Sequence, residues 1–242
     1  MSKTALLTGA SGEIGGAIAR TLSSAGYRLV LTGNRHMDRL RLLEDELRKS
    51  GADIRTVQAD LADAASCRKL FDLCVSEFDV PDLVVNNAGI SHVSLIQDSS
   101  EEDLQLLLQT NLASCIRICK EAARLMIPRH CGRIINISSV YGVSGASCEA
   151  EYAATKGAIN AFTKSLAKEL APSGISVNAL APGAVDTDMN ARLSPEERTA
   201  LENEIPAGRF ASPSEIAECA YLLSLAPVYL TGQIIAVDGG WY

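Results

Sequence analysis

Seven short β-branched or aliphatic runs alternate with longer stretches of helical periodicity along this chain, and that alternation restricts its fold more than any other feature. The runs are Thr4 to Thr8, Arg28 to Leu31, Asp53 to Gln58, Asp82 to Asn86, Gly132 to Ile137, Ile175 to Leu180 and Ile234 to Val237. Between them lie periodic stretches near Ile14 to Ala25, Met37 to Lys49, Ala64 to Glu77, Glu101 to Arg129, Glu151 to Ala171 and Pro213 to Ser224. Strand, helix, strand in repetition implies right-handed crossovers between parallel neighbours. The expectation is an α/β, doubly wound seven-stranded parallel sheet with helices on both faces, built as one domain over residues 1–242. Ligands of such sheets bind beyond the carboxyl ends of the strands. Thr8 to Gly15, Gly33 to His36, Asp60-Leu61, Asn86 to Gly89, Ser138-Ser139 and Ala181 to Gly183 fall at those ends and should surround one cleft.

Composition narrows the partner. Lys and Arg total 22 against 29 acidic residues, and the net charge of −7 argues against attraction to nucleic acid or to an anionic membrane. No run of 18 apolar residues and no basic leader is present, so the chain reads as soluble, unexported and cytoplasmic. Its seven cysteines form no Cys-x-x-Cys and accompany only three histidines, which points to buried thiols rather than a metal site. A small partner fits better than a polymer.

Two local patterns carry chemistry. After the first run comes Thr8-Gly9-Ala10-Ser11-Gly12-Glu13-Ile14-Gly15-Gly16, small residues that let a backbone approach a pyrophosphate at a helix N-terminus. Farther on, Tyr152 and Lys156 stand four apart and project from one helix face. A cation about 4–5 Å from a phenol, at an effective dielectric near 20, favours the phenolate by roughly 3–4 kcal/mol, enough to bring it toward neutral pH. Composition alone also supplies Tyr-x-x-x-Lys pairs, so position must decide.

The order of Thr-Gly-x-x-x-x-x-Gly, Asn86-Asn87-Ala88-Gly89, Asn111, Ser139 thirteen residues before Tyr152, the Tyr-Lys pair and Pro182-Gly183 resembles the short-chain dehydrogenase/reductase family, over almost the whole chain. The resemblance implies a Rossmann fold and a catalytic set of Asn111, Ser139, Tyr152 and Lys156. In that set Tyr152 gives a proton to a carbonyl oxygen, Ser139 holds the oxygen, Lys156 tunes Tyr152 and binds ribose hydroxyls, and Asn111 anchors a proton-relaying water. Ser138 is a rival hydroxyl, Tyr141 a second phenol, and Asn111 reads equally as a helix-surface polar residue. The implied cofactor-binding residues are Gly9, Ser11, Gly12, Ile14, Gly15, Asn34, Arg35, Asp60, Leu61, Asn87, Ala88, Gly89, Pro182, Gly183, Val185 and Thr187. Glu13 replaces the Gly usual in the compact branch and is expected to point to solvent, away from the pyrophosphate.

At the end of the second run, Asn34 stands where the family's NAD-selecting acid would be and Arg35 follows, the pattern of NADP enzymes; NADPH is expected over NADH. The chain is most similar to 3-oxoacyl-acyl-carrier-protein reductases, although His130 and Ser173 occupy the positions of their carrier-docking arginines. Gly145 to Glu149 resembles instead the branch that reduces a 5-aminopentanone group on elongation factor P, where Glu149 would meet a cationic amine. A reading from another class is a non-catalytic dinucleotide-sensing or scaffold protein. The charged loop from Val185 to Ile205, with Pro195 and Pro206, reads as a mobile substrate lid near 185–206. The resemblance also implies a homotetramer.

Overall fold

The computed structural model describes residues 2–242. Strands β1 (Thr4–Leu7), β2 (Arg28–Gly33), β3 (Ile54–Gln58), β4 (Leu83–Asn86), β5 (Gly132–Ile137), β6 (Ile175–Pro182) and β7 (Ile234–Val237) form one sheet in the order β3-β2-β1-β4-β5-β6-β7. Every neighbouring pair is parallel. β1, β4 and β6 are buried along their whole length; β1 and β4 are mainly aliphatic, and β6 also buries Ser176 and Asn178. Helices α1 (Glu13–Ser24) and α2 (Met37–Lys49) cover one face together with α9 (Pro213–Leu225). The other face carries α3 (Ala64–Glu77), α5 (Ser114–Met126) and α7 (Ala150–Leu170). Leu6 packs toward the second group and Leu7 toward the first, each fully buried. Such a leucine contributes about 1.5–3 kcal/mol by leaving water.

Two stretches depart from the sequence expectation. Residues 101–129 do not form one uniform helix: α4 (Glu101–Leu107) passes through a π-helical segment, Leu108–Ala113, into α5. The extra residue turns the helix face by about 100°, but it falls inside one long apolar stretch with no Gly or Pro to mark it; π segments concentrate at functional sites, and this one holds Asn111. Nor is 185–205 a simple loop. It contains a 3-10 turn, Asp188–Asn190, and α8 (Pro195–Glu204), whose start is fixed by a reciprocal bond between Ser194 and Glu197. Ser194-Pro195-Glu196-Glu197 was a legible helix start. α8 has no buried residue, as expected of an element that rests on the surface. A short helix, α6 (Tyr141–Ser144), precedes α7.

Strand order reverses between β1 and β4, and the turns leaving these two strands open the crevice. Asn87 joins them: its amide donates to the carbonyls of Thr8 at 3.2 Å and Gly9 at 3.0 Å, while the Thr8 hydroxyl accepts from Asn87 N–H at 3.0 Å and Ala88 N–H at 3.1 Å. Gly9 has φ +67°, and a Cβ on Gly15 would lie 2.2 Å from the Gly9 carbonyl oxygen. A Cβ on Gly12 would meet that oxygen at 3.5 Å, an ordinary contact. Gly15→Ala should therefore lose more than about 3 kcal/mol in a denaturant titration, the scale of a core clash, whereas Gly12→Ala should stay within about 1 kcal/mol of the parent.

Candidate active site

The crevice is a cavity of about 490 Å³ bounded on one side by the Gly9 to Gly15 turn and on the other by Ser139, Tyr152 and Lys156. That volume lies within the range of cofactor and small-molecule sites. All sixteen residues expected to hold a cofactor line it. So do Ser139, Tyr152 and Lys156, but Asn111 does not.

Asn111 is 1 % exposed and therefore not a helix-surface residue. Its Oδ1 accepts from Ile90 N–H at 2.8 Å, and its amide donates to the Ile90 carbonyl at 2.8 Å and to the Thr155 hydroxyl at 3.2 Å. The side chain thus ties the chain leaving β4 to α7, and it has no amide hydrogen left for another partner. Gly89 runs beside this link: a Cβ there would come within 3.4 Å of Asn111 Oδ1 and 3.5 Å of Lys156 Nζ.

The two serines have different tasks. Ser138 donates its hydroxyl to the Lys156 carbonyl at 3.2 Å and so braces α7 against β5. Ser139 accepts from Tyr141 N–H at 3.2 Å, which leaves its own hydrogen available. Of the two, Ser138 has its hydroxyl hydrogen committed to a backbone carbonyl.

The Tyr152–Lys156 pair differs from the sequence expectation. Burial of the phenol dominates and raises its pKa well above the ordinary value, although the nearby Ser139 hydroxyl pulls the other way. Lys156 Nζ donates to the Ile137 carbonyl at 2.9 Å and sits 5.6 Å from the centroid of the Tyr152 ring, over its face. Burial lowers the ammonium to a pKa of about 8. Charge attraction alone predicts an acidified phenol; desolvation, which spacing on a helix cannot reveal, reverses that result in the protein by itself. Tyr152 is held protonated, as a proton donor must be.

Glu13 is a second correction. It is exposed, yet it does not extend freely into solvent: its Oε2 accepts from the Asp188 N–H at 2.6 Å, across the cavity mouth. The Glu149 carboxylate, expected to meet a cationic amine, is paired with Arg192, which donates to it at 3.2 Å, and burial raises its pKa. Arg39, Thr32 and Asp188 line the cavity and were missed. Arg39 was within reach of sequence reasoning, since it falls in the first turn of the helix that follows Arg35. Thr32 and Asp188 carried no signal.

The residues present fit a nicotinamide dinucleotide. α1 starts at Gly12 with no side-chain cap, so its first N–H groups face the cavity. Thr32 Oγ1 is buried without a hydrogen-bond partner at the same end. Arg35 and Arg39 supply positive charge there. Among the described residues no cluster of His, Cys, Asp and Glu could hold a metal ion, and no helix is long and apolar enough to cross a membrane.

Comparisons with known proteins agree with this geometry. A family model described as enoyl-(acyl carrier protein) reductase matches residues 9–242. The Bacillus subtilis protein named uncharacterized oxidoreductase YmfI is 44% identical over 244 residues, covering 100% of both chains. The Escherichia coli 3-oxoacyl-[acyl-carrier-protein] reductase FabG is 39% identical over 241 residues, covering 99% of this chain and 97% of that protein. Among solved structures, a variant of the actinorhodin polyketide ketoreductase with NADPH superposes with a TM-score of 0.94 at 34% identity, covering 99% of this chain and 97% of that one.

The buried ammonium makes a pH-dependent prediction. Lys156 holds its proton less tightly in the folded chain, at about 8, than at its ordinary 10.5. Between those values the unfolded chain binds more protons, so this group makes stability rise with pH; below about 8 its full penalty is present. Lys156→Met should therefore raise Tm by about 5 °C at pH 7, the equivalent of roughly 2 kcal/mol after loss of the bond to Ile137, and the gain should fade toward pH 10. Thermal melts across that range check the sign.

Proposed function

The chain belongs to the short-chain dehydrogenase/reductase family, oxidoreductases that use nicotinamide dinucleotides, and we propose that it reduces a ketone with NADPH, with Tyr152 as proton donor. The observation that carries this reading is one cavity lined at one end by an uncapped helix start and two guanidinium groups and at the other by a buried, protonated phenol. When bound, the dinucleotide supplies the hydride. Tyr152 then donates to the carbonyl oxygen as the carbonyl carbon accepts that hydride, and Ser139 orients the oxygen by a hydrogen bond. Lys156, with a pKa of about 8, is a proton reservoir near neutral pH and holds the ribose hydroxyls. Asn111 keeps Lys156, Ile90 and α7 in register. Arg35, beside the uncharged Asn34, favours the 2′-phosphate of NADPH. Residues 185–206 act as the substrate lid of a single catalytic domain.

For the substrate, the site favours a ketone bearing an ammonium group, the 5-aminopentanone carried by elongation factor P. Glu149 lies three residues before Tyr152, and its charge bears on both Tyr152 and Tyr141; a substrate ammonium would take the place of Arg192, its partner in the free protein. Tyr141 packs against Trp241 with ring centroids 5.8 Å apart and against Tyr242 at 6.3 Å, and aromatic faces attract ammonium groups. A neutral acyl thioester gains nothing from that surround. Arg129, beside the position expected to dock an acidic carrier, donates instead to the Val80 carbonyl at 2.8 Å and stands 3.9 Å from Asp82. The second reading, a 3-oxoacyl thioester on acyl carrier protein, is favoured by relatives named for that activity at 39% identity.

A paired assay decides between them. NADPH oxidation should be faster, by about tenfold in kcat/KM, with the aminopentanone-bearing factor than with an acetoacetyl thioester, and the reverse order would select the second reading. Tyr152→Phe should abolish both reactions while retaining NADPH binding; turnover by the variant would remove Tyr152 as the donor, and cofactor binding with no carbonyl reduced would revive a sensing role.

The enzyme is proposed to work in the cytoplasm, with its seven thiols free, as a homotetramer. Leu222, Leu225, Val228 and Tyr229 are exposed together at and after the end of α9, and Leu106 and Ile116 on α4 and α5. Sedimentation should give four chains of 25.7 kDa; a monomer would contradict it.

A further inference from the structure

The Glu13, Arg39 and Asp188 side chains form a clasp over the cavity that the catalytic account does not use. Asp188 begins the 3-10 turn of the lid segment. Its N–H donates to Glu13 at the start of α1, and its carboxylate accepts from Arg39 Nη1 at 2.5 Å. Arg39 belongs to α2, so the two bonds fasten the lid to two helices at once, across sequence separations of 175 and 149 residues. All three residues line the cavity, as does Arg35, one helical turn before Arg39.

We infer that Arg39 is a second specificity-determining cation for the 2′-phosphate of the dinucleotide, and that Asp188 is the counter-ion this phosphate displaces, so that NADPH loosens the lid and NADH does not. The inference rests on the NADPH reading above and adds to it a residue and a coupling. Both partners of the ion pair are about half exposed, 46% and 60%, and an exposed pair is worth only about 0.2–1 kcal/mol. A phosphate monoester carries roughly −1.5 to −2 charge and offers three acceptor oxygens, so it outcompetes a single carboxylate for the guanidinium. The charged groups that act on Arg39 are Asp188, Glu13 and Asp38. Arg39 and Arg35 both line this end of the cavity, and the phosphate must draw Arg39 away from Asp188 against the nearby Glu13 and Asp38 carboxylates. The Glu13 bond to the Asp188 N–H does not depend on Arg39's partner, so the phosphate removes one of the two fastenings and loosens the lid without freeing it. Arg39 and Glu13 therefore separate: one reads the phosphate, the other restrains the lid.

The probes are 2′,5′-ADP and 5′-AMP, which differ only by the 2′-phosphate, titrated calorimetrically into the full chain without any carbonyl substrate. The parent protein should bind 2′,5′-ADP at least about tenfold tighter. Arg39→Gln should lose about five- to tenfold of the 2′,5′-ADP affinity and none of the 5′-AMP affinity, while Asp188→Asn should gain about threefold for 2′,5′-ADP alone. Trypsin cleavage at Arg192 and Arg198 in the lid should quicken with 2′,5′-ADP and not with 5′-AMP, and Glu13→Gln should quicken it without either nucleotide. If Arg35→Gln abolishes the preference and Arg39→Gln leaves it intact, the phosphate site is Arg35 alone and this inference falls while the NADPH reading stands. If the parent protein does not distinguish the two nucleotides, the NADPH reading falls and takes the clasp with it.

Discussion

A lysine ammonium all but sealed from water, with the Ile137 carbonyl as its hydrogen-bond acceptor at 2.9 Å, is the constraint around which the rest of the structure is arranged. Removing a cation from water opposes folding, and the protein accepts a pKa lowered to about 8 rather than giving Lys156 a carboxylate partner. A carboxylate would stabilise the charge, but it would also fix the proton. Left with a neutral acceptor, the ammonium can give and regain a proton near neutral pH, beside a phenol that burial keeps protonated.

That unfavourable arrangement persists because the surroundings leave Lys156 nowhere else to go. Gly142 packs so closely on α7 that a Cβ would lie 2.7 Å from the Lys156 carbonyl carbon. Ser138 holds the same peptide group from the strand side, and Asn111 ties α7 to Ile90. The π-helical segment that delivers Asn111 and the turn after β4 converge here, so three elements from different parts of the chain define one position. At the opposite end of the cavity the logic is reversed: the α1 start is left without a side-chain cap, and Thr32 Oγ1 without a partner, where a ligand can supply both.

The sheet was legible because buried parallel strands are rich in aliphatic residues and helices repeat every 3.6 residues; β5 and β7 and helices α2 and α3 begin and end at the residues expected. Motif order placed the Gly9 to Gly15 turn, Asn87 to Gly89, Ser139 and Tyr152 on one cavity. Three kinds of information were not legible. The π segment at Asn111 lies inside a long apolar stretch with no Gly or Pro to mark it. The Tyr152 pKa depends on burial, which exceeds the attraction read from an i, i+4 pair. The partners of Glu13 and Glu149, namely Asp188 and Arg192, come from a segment more than 40 residues away, so only the folded chain reveals them.

The most direct test is the titration of Lys156 itself. In protein labelled with 13C and 15N at lysine, with the Lys156 side-chain signal assigned by its absence in Lys156→Met, the chemical shifts followed by NMR from pH 6 to 11 should show one lysine with a midpoint near 8. A midpoint near the ordinary 10.5 would mean that the ammonium is solvated or paired, and the account of a buried, weakly held proton at the centre of the site would be wrong.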